Sequence, residues 1–218
     1  NEWIEALAQA YVGRAGELQA KGMIPEALTI WRNRASTCDK PLAHPGYIEC
    51  LCKSGATVEA LKLVTQMEAG EERQALENHL AATAVLLPPE ALSTLPEDHA
   101  LRSQHSQAVA ALHAYCAGDG KALDEALQRI PFRSPYRDLR PVLKALNVVQ
   151  QDPEQANTLL ARVTNDSPFA KLAAVARSAI LPDDAWLPAL AQASPAQQQA
   201  LLDLKGCPQE SRAQLQEL

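Results

Sequence analysis

Four side chains of the types that bind zinc lie within fifteen residues of the sequence, at Cys38, His44, Cys50 and Cys52. A structural zinc site needs converging ligands, and its cysteines usually come in pairs about two to four residues apart. Cys50 and Cys52 fall in a predicted helix, where a spacing of two directs them about 200° apart around the axis. Small buried thiols at a helix interface therefore explain these residues better, and we expect no bound metal.

A second candidate for chemistry is the pair His113 and Cys116, one helical turn apart in "LHAYC". An imidazole there could activate a thiol as a nucleophile, but no orienting group or oxyanion hole is recognisable nearby. The chain contains no "GxxxxGK[ST]" phosphate loop, dinucleotide fingerprint, "HExxH" or "GxSxG". We therefore expect a protein that is not an enzyme and has no cofactor. An enzyme with dispersed residues is the third alternative.

Basic residues are concentrated in the stretch "RIPFRSPYRDLR", residues 129–140, which also holds two aromatic rings. Residues 129–144, the basic segment, carry a net +4 in a chain of net charge −6, so the remainder carries −10. On an ideal helix Arg137, Arg140 and Lys144 lie within about 60° of one another, opposite the apolar positions. Pro141 would break a helix that begins at Pro135, so we expect a kink or a short first turn before it.

Two interpretations of the basic segment remain open. It is either a solvated face whose arginines pair with neighbouring acids, or a docking site for an acidic segment, a phosphate or single-stranded nucleic acid. In the second case Phe132 and Tyr136 would anchor the partner, although the scarcity of aromatic residues favours the core for both. The candidate partner contacts are Arg133, Tyr136, Arg137, Arg140 and Lys144.

The composition indicates an all-α protein. Apolar residues make up 47% of the chain and aromatic ones 4%, and the alternation typical of strands is missing. The acidic balance argues against wholesale binding to nucleic acid or to anionic membranes and leaves a local basic patch open. No apolar run reaches the ~18 residues of a membrane span. Five cysteines, an odd number in a long chain, indicate reduced thiols and a cytoplasmic protein.

The spacing of apolar residues, glycines and prolines predicts the helices. They are expected over 2–20, 25–36, 45–54, 57–69, 71–86, 103–117, 121–129, 136–150, 153–163, 168–180, 184–192, 195–204 and 208–217.

The sequence repeats itself at an offset of 33 residues in each half. In the first half "LQAKGMIPEALTI" from Leu18 matches "LCKSGATVEALKL" from Leu51. In the second half the matched pairs are Leu127 and Leu160, Arg129 and Arg162, Ser134-Pro135 and Ser167-Pro168, Tyr136 and Phe169, Leu139 and Leu172, and Val142 and Val175. Each copy predicts a helical hairpin in which a glycine ends the first helix, and Ser-Pro opens a later one.

These hairpins resemble tetratricopeptide repeats. Ala27 follows Gly22 by five positions and the aromatic Trp31 follows Ala27 by four, as in that family, while Arg14 and Ala15 depart from its first-helix pattern. The resemblance covers roughly two thirds of the chain and implies an α-solenoid of stacked antiparallel helical hairpins. One copy, residues 47–67, also resembles a pentatricopeptide motif, whose arrays bind single-stranded RNA.

The prolines at 88, 89 and 96 predict an irregular connection at 87–103, which separates a repeat sub-array at 1–86 from a second sub-array at 104–218. The three parts are expected to form one continuous solenoid, and residues 71–106 match no copy. We expect a non-catalytic scaffold or adaptor for protein–protein interaction, alone or within a longer protein, whose partner is another protein or an acidic peptide segment. The alternative is a helical repeat that binds nucleic acid through the basic segment, and neither alternative involves a membrane.

Overall fold

The computed structural model describes residues 2–208, and within that range it confirms an all-α protein. The described residues form thirteen α-helices and one 3₁₀ helix and contain no strand. The helix expected over 208–217 lies outside the described residues, apart from position 208. The chain divides into two compact units, Asn1–His105 and Ser106–Leu218.

The first unit is built from helices that contact their neighbours in the chain: α1 with α2, α2 with α3, α3 with α4, and α4 with α5. Their bounds are α1 Glu2–Ala20, α2 Ile24–Cys38, α3 Pro45–Ser54, α4 Thr57–Val64 and α5 Glu71–Ala84, followed by a 3₁₀ helix at Pro89–Thr94 and α6 at Ala100–Ser103. The proline-rich stretch 87–103 thus holds two short helical segments and contributes Leu92, Leu95 and Leu101 to the core.

In the second unit each helix from α8 to α13 contacts the next, and α11 also contacts α9 and α13. The bounds are α7 His105–Cys116, α8 Gly120–Arg129, α9 Leu139–Val148, α10 Pro153–Leu160, α11 Ala170–Ile180, α12 Asp183–Gln192 and α13 Pro195–Leu204. Across residues 2–208, no helix has both the length and the apolar character that crossing a membrane requires.

The glycines that were expected to end helices adopt the left-handed conformation. Gly22, Gly55 and Gly118 have φ angles of 76°, 81° and 68°. The Gly55 N–H donates to the carbonyls of Leu51 and Cys52, which closes the end of α3. A residue with a Cβ is strained at such a φ, so glycine is what allows the chain to reverse within a few residues.

The 33-residue match in the first unit coincides with matched burial. The buried pairs are Leu18 and Leu51, Ala27 and Ala60, and Leu28 and Leu61. Ala27 and Ala60 are both fully buried, and the small side chain allows the helices to approach closely there.

The Ser-Pro pairs of the second unit form turns that precede helices. The Ser134 Oγ accepts a hydrogen bond from the Tyr136 N–H at 3.1 Å, and the Ser167 Oγ accepts one from the Phe169 N–H at 3.2 Å. The expectation that these pairs directly open helices is therefore wrong at both places, because the helices begin only at Leu139 and Ala170. Pro195 does open α13 directly, with Ser194 before it.

Pro141 explains the late start of α9. It is the third residue of the helix, where an N–H has no partner within the helix, so its missing donor costs nothing. The preceding residues form i to i−3 turns, such as the 3.1 Å bond from the Arg140 N–H to the Arg137 carbonyl. The expected short first turn before Pro141 is confirmed.

The burial pattern slips by one residue in the second copy. Leu139 is buried but Leu172, its match at 33 residues, is 36% exposed. The buried positions of α11 are Ala173, Ala176 and Ala179, each 34 residues after a buried residue of α9. α11 has no proline at the position that corresponds to Pro141. When the two copies are aligned at 33 residues, α11 begins two positions earlier than α9 does, and its buried residues are offset by 34 residues from those of α9.

Candidate functional site: a cationic groove in the second unit

A groove of about 540 Å³ lies on the second unit, where the start of α9 meets the end of α10. It is lined by Phe132, Arg137, Asp138, Arg140, Pro141, Lys144, Leu159, Arg162 and Thr164, and we call it the cationic groove. Its walls carry four cationic side chains and one carboxylate. The lining therefore has a net charge of +3 in a protein that is acidic as a whole.

Three of the predicted contacts, Arg137, Arg140 and Lys144, line this groove together. Arg140 and Lys144 are four residues apart on α9 and share one face, and Arg137 precedes the helix in the turn. The short turn before α9 therefore leaves these three side chains along one wall. Arg133 is exposed but is not part of the groove lining.

The two aromatic residues of the basic segment have opposite environments. Tyr136 is 0% exposed, so its ring cannot contact a partner in this structure, and burial raises the pKa of its hydroxyl. Phe132 is 83% exposed at the groove, so the expectation that it belongs to the core is wrong. The turn that begins at Ser134 directs the second ring into the core and leaves the first at the surface.

The four cations differ in how far they are already neutralised. Lys144 Nζ lies 3.1 Å from Asp124 Oδ1, and Arg137 Nε lies 3.6 Å from Asp138 Oδ1. Within residues 2–208, Arg140 and Arg162 form no ion pair. These two guanidinium groups are therefore the donors that an incoming anion would find free.

Arg162 was not among the predicted contacts. It follows α10 and reaches the groove because α9 and α10 contact each other. Its match to Arg129 at the 33-residue offset was visible in the sequence, but that offset did not show that it would face the preceding copy. Packing of α10 against α9 brings Arg162 to the groove, and the residues near Arg162 in the sequence do not indicate this packing.

Hydrogen bonds hold the turn that carries Arg162. The Arg177 Nη2 donates to the carbonyls of Leu160 and Val163, at 2.6 and 2.8 Å, and these residues flank the turn. Charge-assisted bonds to the last carbonyls of a helix are among the stronger ones in proteins. The wall formed by the end of α10 is therefore anchored to α11.

A carboxyl group close to the groove is held in its charged form. A hydrogen bond from Thr164, which lines the groove, lowers the pKa of Asp166, with a smaller contribution from Arg137. This exposed carboxylate is thus a further negative charge beside the groove.

The four zinc-type residues occupy structural positions in the first unit. His44 Nδ1 accepts a hydrogen bond from the Gly46 N–H at 3.2 Å and caps α3, and the Cys50 Sγ donates to Gln19 Oε1. Burial raises the pKa of the Cys50 and Cys52 thiols, the latter to about 11. In the described part of the chain, no group of three or more His, Cys, Asp or Glu side chains is placed to hold a metal ion.

The pair His113 and Cys116 lies at the end of α7 with both side chains exposed. Among the hydrogen bonds of residues 2–208, none joins the imidazole to the thiol. A second groove of about 450 Å³, in the first unit, is lined by acidic and basic side chains together, including Glu49, Glu72 and Lys53. Its mixed charge does not select an anion or a cation.

Comparisons with known protein families, with curated proteins and with solved structures find no match to this chain.

Proposed function

We propose that this protein is a non-catalytic scaffold or adaptor for protein–protein interaction, with tetratricopeptide-like helical hairpins and a cytoplasmic location. Contacts between successive helices from α1 to α5 and from α8 to α13 support an array of hairpins. The observation that carries the proposal is the cationic groove, where Arg140 and Arg162 lie beside an exposed Phe132. Aromatic and arginine side chains are the residue types that contribute most to protein interfaces.

Peptide display on the immobilised full chain tests this proposal. The wild-type protein is expected to enrich peptides, and the double variant Arg140→Glu/Arg162→Glu is expected to lose them. Arg133→Glu is the matched control, because Arg133 is an exposed arginine of the same basic segment that does not line the groove. Enrichment that is equal for all three proteins would refute the groove as the binding surface.

The same four cations favour a second candidate, a helical repeat that binds single-stranded nucleic acid. If all four contacted phosphates, the affinity for a single strand would fall with a slope of about −3 in a plot of log K against log salt. Fluorescence anisotropy with a labelled oligonucleotide at several salt concentrations measures this slope. Absence of saturable binding at low salt would eliminate the candidate.

A further inference from the structure

Two features of the cationic groove define what kind of anion it fits. The first is that Arg140 and Arg162 have no carboxylate partner within residues 2–208. A guanidinium group presents its donors in a planar fork that matches a carboxylate in a bidentate arrangement. The groove therefore has places for at least two carboxylates.

The second feature is an apolar surface in the same groove. Phe132 is 83% exposed, and Pro141 and Leu159 are each half-buried beside it. An apolar side chain that covers this surface removes hydrocarbon from water on both partners. An ion that carries charge alone would leave the ring exposed.

The surroundings of the groove disfavour a long polyanion. Asp138 lines it and Asp124 lies against Lys144, so an extended phosphate chain would meet negative charge at both places. Proteins that bind single strands stack successive bases on several aromatic rings. The lining of this groove offers one aromatic side chain, Phe132.

We propose that the cationic groove binds a short acidic peptide segment in which an apolar side chain lies between carboxylates, with Arg140 and Arg162 on the carboxylates and Phe132 on the apolar group. The inference rests on the proposed function and specifies the chemistry of its partner. The groove volume of about 540 Å³ falls in the range of compact ligand sites and suits a short segment better than a folded domain surface.

Fluorescence anisotropy with three labelled peptides tests the inference on the full chain. The first peptide has a leucine between glutamates, the second replaces the glutamates with glutamines, and the third replaces the leucine with serine. We expect saturable binding of the first, and binding weaker by about tenfold for each of the others, which corresponds to about 1.4 kcal/mol. Equal affinity for the first and second peptides, or for the first and third, would overturn the inference.

Single variants of the protein assign the contacts. Arg140→Gln, Arg162→Gln and Phe132→Ser are each expected to weaken the first peptide by about tenfold. None of these side chains is buried, so the variants should fold, and unchanged far-UV circular dichroism checks this. Arg133→Gln is the control and should bind as wild type does. Loss of binding in Arg133→Gln equal to that in Arg140→Gln would indicate a nonspecific charge effect and overturn the assignment.

The outcomes separate this inference from the proposed function. If the first peptide does not saturate up to about 1 mM while displayed peptides are still lost with Arg140→Glu/Arg162→Glu, the occupant has another chemistry and the scaffold proposal stands. If substitution of these arginines changes peptide binding in neither experiment, both the proposed function and this inference are refuted. An oligonucleotide that binds more tightly than the first peptide, and loses affinity in Arg140→Gln, would replace the inference with the nucleic-acid alternative.

Discussion

A side chain at position 46 is expected to destabilise the protein, because Gly46 lies against a buried ring. It is the second residue of α3, and a Cβ placed on it would lie 2.5 Å from Cζ2 of Trp31. Trp31 is 3% exposed, and its ring is tilted by 34° against His44 with 4.4 Å between the centroids. The Arg34 guanidinium lies 5.7 Å from the same ring centroid. The ring therefore has little room to move away from a methyl group at position 46.

Two effects of opposite sign set the magnitude for Gly46→Ala. Forcing a methyl group into a filled core costs about 1–3 kcal/mol. Alanine in place of glycine within a helix returns up to about 1 kcal/mol. We expect the steric term to win, with a net loss of about 1–2 kcal/mol in the free energy of unfolding.

Gly13→Ala is the matched control for this prediction. Gly13 lies inside α1, and a Cβ placed there meets nothing within 4 Å. Only the higher helix propensity of alanine applies at this position, so the free energy of unfolding of the variant should rise by about 0.5–1 kcal/mol. The two substitutions are chemically identical and should shift stability in opposite directions.

Urea unfolding of the full chain, followed by far-UV circular dichroism and tryptophan fluorescence, measures both variants. Because the chain has two compact units, free energies are compared only where the m values of variant and wild type agree. If Gly46→Ala is as stable as Gly13→Ala, the Trp31 ring moves to accommodate the methyl group, and the predicted steric clash is refuted.

Three further predictions test other parts of the structure. Desolvation, followed by the charge of Arg34, lowers the pKa of His44 below its ordinary 6.5, so the stability of the protein should decline as pH falls below that value. The variant His44→Asn keeps a capping acceptor but does not titrate, so its urea midpoint should vary less with pH over this range than that of the wild type. Pro188 lies inside α12, so Pro188→Ala should raise stability by up to about 3 kcal/mol. Pro141 lies in the first turn of α9, so Pro141→Ala should change stability by less than ~0.5 kcal/mol. Equal urea midpoints for the two variants would contradict this difference. Arg177→Met removes the two hydrogen bonds that Nη2 donates to backbone carbonyls and should cost about 2 kcal/mol in the same assay; an unchanged midpoint would show that the turn needs no such anchor.

Much of the secondary structure could be predicted because its signals are local. Glycine at positions 22, 55 and 118 marks a left-handed turn wherever a helix must end and the chain reverse, and the structure has all three. Helices α1, α3 and α13 begin and end where the apolar spacing and the prolines placed them. The basic character of the segment 129–144 was equally visible, since charge is a property of composition.

The site itself was only partly predictable. Helical spacing placed Arg140 and Lys144 on one face of α9, whereas Arg137 joins them in the groove from the turn before the helix. It could not distinguish the environments of Tyr136 and Phe132, since the turn between them decides which ring is buried.

The sequence alone determined that this protein is helical, where most of its helices turn, and that one segment is basic in an acidic chain. Tertiary structure decided that Arg162 joins the predicted cations from the following copy, and that the core of α11 follows a 34-residue register where the sequence matches at 33. The physical reason is that helix formation and charge depend on residues within a few positions. Burial and grooves instead depend on which helices contact each other and on where each helix begins: α9 begins at Leu139, with Pro141 in its first turn, whereas α11 begins two aligned positions earlier.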